Sequence, residues 1–287
     1  MTATAEAQSA SEPLPTPGEV LAQAASENFP VAMGILGHRT ARHLMAIYGF
    51  ARLVDDVGDE VSGDRSALLD ELDREIGSIF SDGTPVHPLM RELAQTVREC
   101  SLPRGPLDRL VQANRQDQRV SRYDSFEDLL AYCQLSAAPV GELVLNVFGK
   151  ATAERIALSD LVCAGLQVIE HLQDVVEDRR RGRIYLPQED LRRFGCDDAD
   201  LDRAPTPPEL RALIAFEADR AGALLQAGPS LTVTLSGRGR LAVAGFVTGG
   251  RTALRGLERV GYDISGPRPS AGRLPFALSF AAAVAGR

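Results

Sequence analysis

From about Gly18 onward, apolar residues return every third or fourth position, the spacing of a single helical face, and seldom alternate as a strand requires. The pattern predicts helices over roughly 40–61, 64–80, 86–100, 104–117, 125–133, 139–149, 153–181, 207–227 and 237–261. Breaks fall where helix-ending and helix-starting residues stand: Gly63 with Asp64 as an N-cap, Asp82 and Gly83 before Pro85, then Pro103, Pro139 and the stretch 204–208. Residues 183–187 (Arg-Ile-Tyr-Leu-Pro) read as extended or loop. No internal repeat or βαβ alternation is present, and the Gly-rich stretch 245–250 follows no strand, so it fails as a dinucleotide fingerprint. The expectation is one all-α domain over residues 18–287, after an Ala/Ser/Thr/Pro-rich tail at 1–17 that should be disordered.

Composition narrows the function classes. A 44% hydrophobic fraction over 287 residues is ample for a buried core, and a chain rich in Ala, Leu, Arg and Glu with no Trp suits helices. The net charge of −8 argues against a nucleic-acid face and against a polybasic membrane anchor. Cys100, Cys133, Cys163 and Cys196 lie far apart with no CxxC pair, which fits reduced thiols in the cytoplasm. No apolar run reaches the ~20 residues of a membrane span, so no transmembrane segment is expected. The apolar stretch 274–285 is too short to cross; it would pack on the core or touch a membrane surface.

Two segments carry the chemistry. In the first, Tyr48, Arg52, Asp55 and Asp59 share one stripe of a helix, flanked by Ile47, Ala51 and Val54, which ought to face a core. In the second, Gln167, Glu170, Asp174 and Asp178 form another stripe, backed by Leu166, Ile169 and Val175. Like-charged carboxylates at i, i+4 destabilise a bare helix by a few tenths of a kcal/mol, so their place on a half-buried face calls for a cation. Either stripe alone is an ordinary solvated face. Two of them, each in an apolar helix, suit Mg²⁺, which binds through one or two carboxylates and keeps positions for water and phosphate oxygens. The basic cluster Arg179, Arg180, Arg181 and Arg183 reads as a solvated face or as a complement to a helix C-terminus. His38, His43, His87 and His171 have no metal spacing; His171 either approaches the second stripe or simply packs.

With Glu27–Ala32 (Glu-Asn-Phe-Pro-Val-Ala), Ala113–Asp117 (Ala-Asn-Arg-Gln-Asp), Tyr132–Gly141, Gln173-Asp174 and Gly182–Pro187, the chain resembles the squalene/phytoene synthase family from about Ser26 to Gly261. Within that family it looks most like the bacterial hydroxysqualene synthases of the hopanoid pathway. The resemblance implies an isoprenoid synthase helical bundle with a central cavity, and Mg²⁺ held by Asp55, Asp59, Asp174 and Asp178. It implies diphosphate contacts from Arg52 and Arg183, and Tyr132 beside the reacting carbons with Phe50 or Phe29 as further aromatic faces. Gln167, Gln173, Tyr48, Asn28 and Ser136 would contact substrate, the last at a tight helix break with Ala137, Ala138 and Gly141. The implied substrate is a prenyl diphosphate. A lipid-like substrate makes peripheral contact with the inner face of a membrane, or with neighbouring squalene-pathway enzymes, an expectation that no segment of the sequence itself carries.

Three departures from the family pattern bear on the reaction. The second motif commonly reads Gln-x-x-Asn-x-x-Arg-Asp; here the Asn is Glu170 and the Arg is Gln173, and a common Ser-Arg-Ser-Phe is Ser26-Glu27-Asn28-Phe29. If all three side chains face it, the pocket is about four charges more negative than that pattern. Two diphosphates need arginine forks, so losing two arginines favours a substrate with one diphosphate, presqualene diphosphate, captured by water to give hydroxysqualene. Glu170 would then steady the carbocation or handle the water. A head-to-head condensing enzyme (presqualene diphosphate, squalene or phytoene synthase) and a catalytically dead helical scaffold remain as alternatives.

Overall fold

The computed structural model describes residues 14–22, 36–81 and 83–267; Glu27, Asn28, Phe29 and the stretch 274–285 lie outside them. In order, the helices are α1 (Pro17–Ala22), α2 (His38–Asp59), α3 (Arg65–Ile79), α4 (Pro88–Cys100), α5 (Gly105–Asp117), α6 (Phe126–Ser136), α7 (Ala138–Val147), α8 (Ala153–Arg180), α9 (Gln188–Phe194), α10 (Pro208–Leu225), α11 (Ala227–Thr234) and α12 (Gly237–Arg259). Among the described residues there is no strand, only an isolated bridge from Ile184, in the segment expected to be extended, to Arg122. The described residues thus form an all-α fold, as the periodicity predicts.

Helix starts follow their caps. The Asp64 side chain accepts from the Ala67 amide at 3.0 Å, Ser125 and Asp128 form a capping box, and Thr152 accepts from Arg155 N at 3.3 Å. Expected boundaries shift where tertiary contacts reward extra turns. The expected 125–133 helix runs on to Ser136, the 207–227 helix is α10, and α11 is a further short helix that the pattern did not predict. The short α9 carries no complete apolar period of its own; its Leu191 is buried by the folded neighbours. Of the expected tail, residues 14–17 are described: Leu14 packs on the core and the Pro15 carbonyl lies 3.0 Å from His87 Nε2.

Two apolar clusters position the site. One joins α2, α3, α4 and α5 through residues such as Phe50, Leu53, Leu72 and Leu93, each 0% exposed. The other surrounds α8, which packs against α7, α10, α11 and α12. α7 packs against both α2 and α8, so these two long helices are tied together through a third. Gly141 permits the close approach of α7 to α8: a Cβ there would meet Ser159 Oγ at 2.3 Å and Cys163 Sγ at 2.6 Å. No helix of the described residues is long and apolar enough to cross a membrane.

Candidate active site

α2 buries Ile47, Phe50, Leu53, Val54 and Val57, and α8 buries Val168, Ile169, Leu172 and Val175. Fixing those apolar faces in the core turns the remaining stripe of each helix toward a common space. A cavity of about 720 Å³ lies there, lined by Asp55, Asp59 and Glu60 from the first motif and by Glu170, Asp174 and Glu177 from the second. Its lining cations are Arg52, Arg180 and Arg181. Six carboxylates against three guanidiniums leave a formal charge of −3. An anionic diphosphate entering such a space needs accompanying cations.

The local electrostatics agree. Burial pushes the Asp55 carboxyl up to about 7; a hydrogen bond from Asn114 Nδ2 at 3.0 Å opposes this, and the charges of Asp59 and Glu170 add to it. Asp55 keeps solvent access on its cavity side. Among the described residues, no three His, Cys, Asp or Glu side chains converge into a ready-made metal cage. That donor set fits Mg²⁺, which completes its octahedron with waters and phosphate oxygens, and suits zinc or calcium poorly.

The arginines are already engaged. Arg52 Nε lies 2.7 Å from Asp56 Oδ1 and its Nη2 lies 2.9 Å from Glu60 Oε1. Arg183 Nη2 reaches Asp59 Oδ1 at 2.6 Å. Burial alone would make the Arg183 guanidinium easier to deprotonate, but the Asp59 hydrogen bond and the neighbouring acidic groups hold it firmly charged. Its placement comes from the end of α8: Gly182 adopts φ +80°, and Arg183 N donates back to Asp178 O at 2.9 Å, turning the chain toward α2. The basic cluster divides. Arg179 pairs with Asp198 and Asp202, while Arg181 pairs with Glu177 at 2.9 Å and comes within 3.7 Å of Asp59.

The expected site residues are therefore brought together only in part. Arg52, Asp55, Asp59, Glu170, Gln173 and Asp174 all line the large cavity. Asp178 lines a separate small pocket with His171, Arg183 and Tyr185. Gln167 lies deeper on α8, its Nε2 3.4 Å from His171 Nε2. Tyr48 is half-buried on α2, and Ser136 ends α6 with its Oγ buried. Tyr132, 5% exposed, stands with Tyr123 and Tyr185 at centroid distances of 5.3 and 5.8 Å. His171 is buried and stacked on Tyr185 at 3.7 Å, which is the packing role, and Phe50 is a core residue at 0% exposure. Of the three departures in charge, Glu170 and Gln173 do face the cavity, and Glu27 lies outside the described residues.

Two residues on α5 lie in the Ala113–Asp117 motif, but sequence reasoning gave neither a role. Asn114 holds Asp55, and Asp117 accepts a hydrogen bond from the Tyr132 hydroxyl at 2.6 Å. The available signal was Asn114 itself, a polar residue on the apolar stripe of Leu107, Leu110 and Val111. Gly58 makes room for it, since a Cβ at 58 would stand 2.0 Å from Asn114 Oδ1. Gly58→Ala is expected to lower stability by about 1–2 kcal/mol, overpacking outweighing the better helix propensity. Thermal denaturation checks it: Gly58→Ala combined with Asn114→Ala should recover most of the loss.

A model of the squalene/phytoene synthase family matches residues 22–275. A hydroxysqualene synthase of Rhodopseudomonas palustris is 35% identical over 211 residues, 73% of this chain and 71% of its own length. One from Zymomonas mobilis is 35% identical over 204 residues, 70% and 68% of the two chains. The crystal structure of squalene synthase HpnC from Alicyclobacillus acidocaldarius superposes with a TM-score of 0.78 at 40% identity, covering 85% of this chain and 92% of that one. The family and these relatives are prenyltransferase-type enzymes of isoprenoid biosynthesis. With a family match that spans most of its length and two acidic helices opening on one cavity, this chain belongs to the squalene/phytoene synthase family.

Proposed function

We propose that this chain converts presqualene diphosphate and water to hydroxysqualene and diphosphate. The observation that carries this reading is the pairing of Glu170 and Gln173 in the lining of the acidic cavity, where the common family pattern has Asn and Arg. A cavity short of that arginine favours one diphosphate over two. Similarity to hydroxysqualene synthases supports the same reading.

Members of the family use a divalent metal for diphosphate ionisation. Asp55, Asp59 and Asp174, with Asp178 by resemblance, would hold Mg²⁺, which when bound supplies positive charge to the departing diphosphate. Arg52 and Arg183 donate hydrogen bonds to diphosphate oxygens as the C–O bond breaks and its electron pair leaves with phosphate. The cyclopropylcarbinyl cation would then rearrange out of reach of bulk water, with Tyr132, assigned by resemblance, as a π donor. One water oxygen then forms the new C–O bond and gives up a proton, with Glu170 as its hydrogen-bond acceptor. No hydride donor takes part.

Product analysis with presqualene diphosphate, with and without Mg²⁺, tests the reading. The expected product is hydroxysqualene, with farnesyl diphosphate alone left unreacted; carbon–carbon bond formation from farnesyl diphosphate would instead support a head-to-head condensing enzyme. That second reading is favoured by the similarity to squalene synthase HpnC. Glu170→Gln is expected to lower kcat about 10- to 100-fold and change KM little. Unchanged turnover would remove Glu170 from the mechanism.

A further inference from the structure

α5 braces the site twice along one face. One turn apart, Asn114 holds Asp55 at the acidic cavity and Asp117 receives the Tyr132 hydroxyl at 2.6 Å. Asp117 Oδ2 takes that hydrogen bond, and its Oδ1 is buried with no hydrogen-bond partner among the described residues. A half-satisfied buried carboxylate costs stability, since a solvated one would keep all its lone pairs occupied. Such a cost is retained where the group serves something else. The charged and titratable groups facing Asp117 are Arg183, Asp59 and His171, with the Tyr123, Tyr132 and Tyr185 phenols; the Arg183 guanidinium is already bound to Asp59. Burial raises the Asp117 carboxyl to about 6, against the Tyr132 hydrogen bond and the Arg183 charge, so it is largely ionised at neutral pH.

We propose that Asp117 is a positioning residue for Tyr132: its carboxylate fixes the phenol at the junction of α5 and α6 so that the ring keeps one orientation toward the reacting cation. The phenol proton is committed to Asp117, which fixes the direction of the hydroxyl. Without that anchor, Tyr132 would rely on its tilted packing against Tyr123, Tyr185 and His171. The inference rests on the assignment of Tyr132 beside the reacting carbons.

The test is a double-mutant cycle with Tyr132→Phe, measured on whichever prenyl diphosphate the wild-type enzyme turns over. Asp117→Ala should lower kcat about 10- to 100-fold with KM within about twofold, the usual scale for a residue acting through another. Asp117→Asn, whose amide oxygen still accepts from the phenol, should restore most of that turnover. In the Tyr132→Phe background, Asp117→Ala should cost about twofold or less. Multiplicative losses, or a kcat within twofold of wild type for Asp117→Ala, would overturn the proposal. Should Asp117→Ala not fold, proton NMR of the wild type decides: a protected hydroxyl signal that disappears in Tyr132→Phe supports it, and absence of that signal overturns it. Wild-type inertness toward presqualene diphosphate would sink the hydroxysqualene reading alone, because the cycle can then be run on farnesyl diphosphate.

Discussion

Asp55→Ala and Asp174→Ala are each expected to lower kcat/KM for the prenyl diphosphate by about 10³-fold, roughly 4 kcal/mol of transition-state stabilisation. Both side chains line the acidic cavity, one from each long helix, so each variant removes a cavity-facing carboxylate from a different wall. Stability should move differently. The folded state holds the Asp55 carboxyl well above the ordinary value of 3.8, so it binds that proton more tightly than the unfolded chain does. Its contribution is most favourable at low pH and is lost as pH rises from about 4 toward about 7. Without Mg²⁺ at pH 7.5, Asp55→Ala should melt no lower than the wild type. Steady-state kinetics paired with thermal denaturation separate the two effects. A large drop in melting temperature together with near-normal kcat/KM would contradict a metal-facing role.

Arg183→Gln should be damaging in both respects. Its side chain is 12% exposed and lies 2.6 Å from an Asp59 oxygen, and the nearest remaining cation, Arg181, stands 3.7 Å from Asp59. Removing one partner leaves a partly buried carboxylate uncompensated, at a cost of about 2–3 kcal/mol, below the full range for a fully buried pair. On the proposed metal site, a cation bound beside Asp59 would replace the missing charge. The difference in melting temperature between Arg183→Gln and wild type should therefore narrow on adding Mg²⁺ with inorganic pyrophosphate. Turnover should fall about 10²-fold, as for loss of a single donor to a developing anion. If the melting difference does not respond to Mg²⁺ and pyrophosphate, the pair is structural only.

Much of this was legible in the residues because helical chemistry is local. The 3.6-residue period placed Arg52, Asp55 and Asp59 on one face, and Glu170 and Asp174 on another, before any contact was known. Asp64 and Pro139 marked helix starts through their own side chains and ring geometry. Spacing alone also grouped Asp178 with Asp174, yet α8 turns Asp178 toward His171 and Arg183, while Glu177 takes the place on the cavity wall. Four residues advance a helix by 400°, so a stripe drifts around the axis, and a long helix carries its last turn to another neighbour.

The sequence by itself determined the long helices, the Asp64 cap, and the two acidic stripes with apolar backing, since each depends on residues within about one turn of each other. The tertiary structure alone decided that both stripes open on one cavity, that Arg181 joins it while Arg179 does not, and that α5 supplies Asn114 and Asp117. Those pairings join residues 15 to 122 positions apart, such as Asp117 with Tyr132 and Asp59 with Arg181. They depend on which faces the core buries, a choice settled by packing of the whole chain.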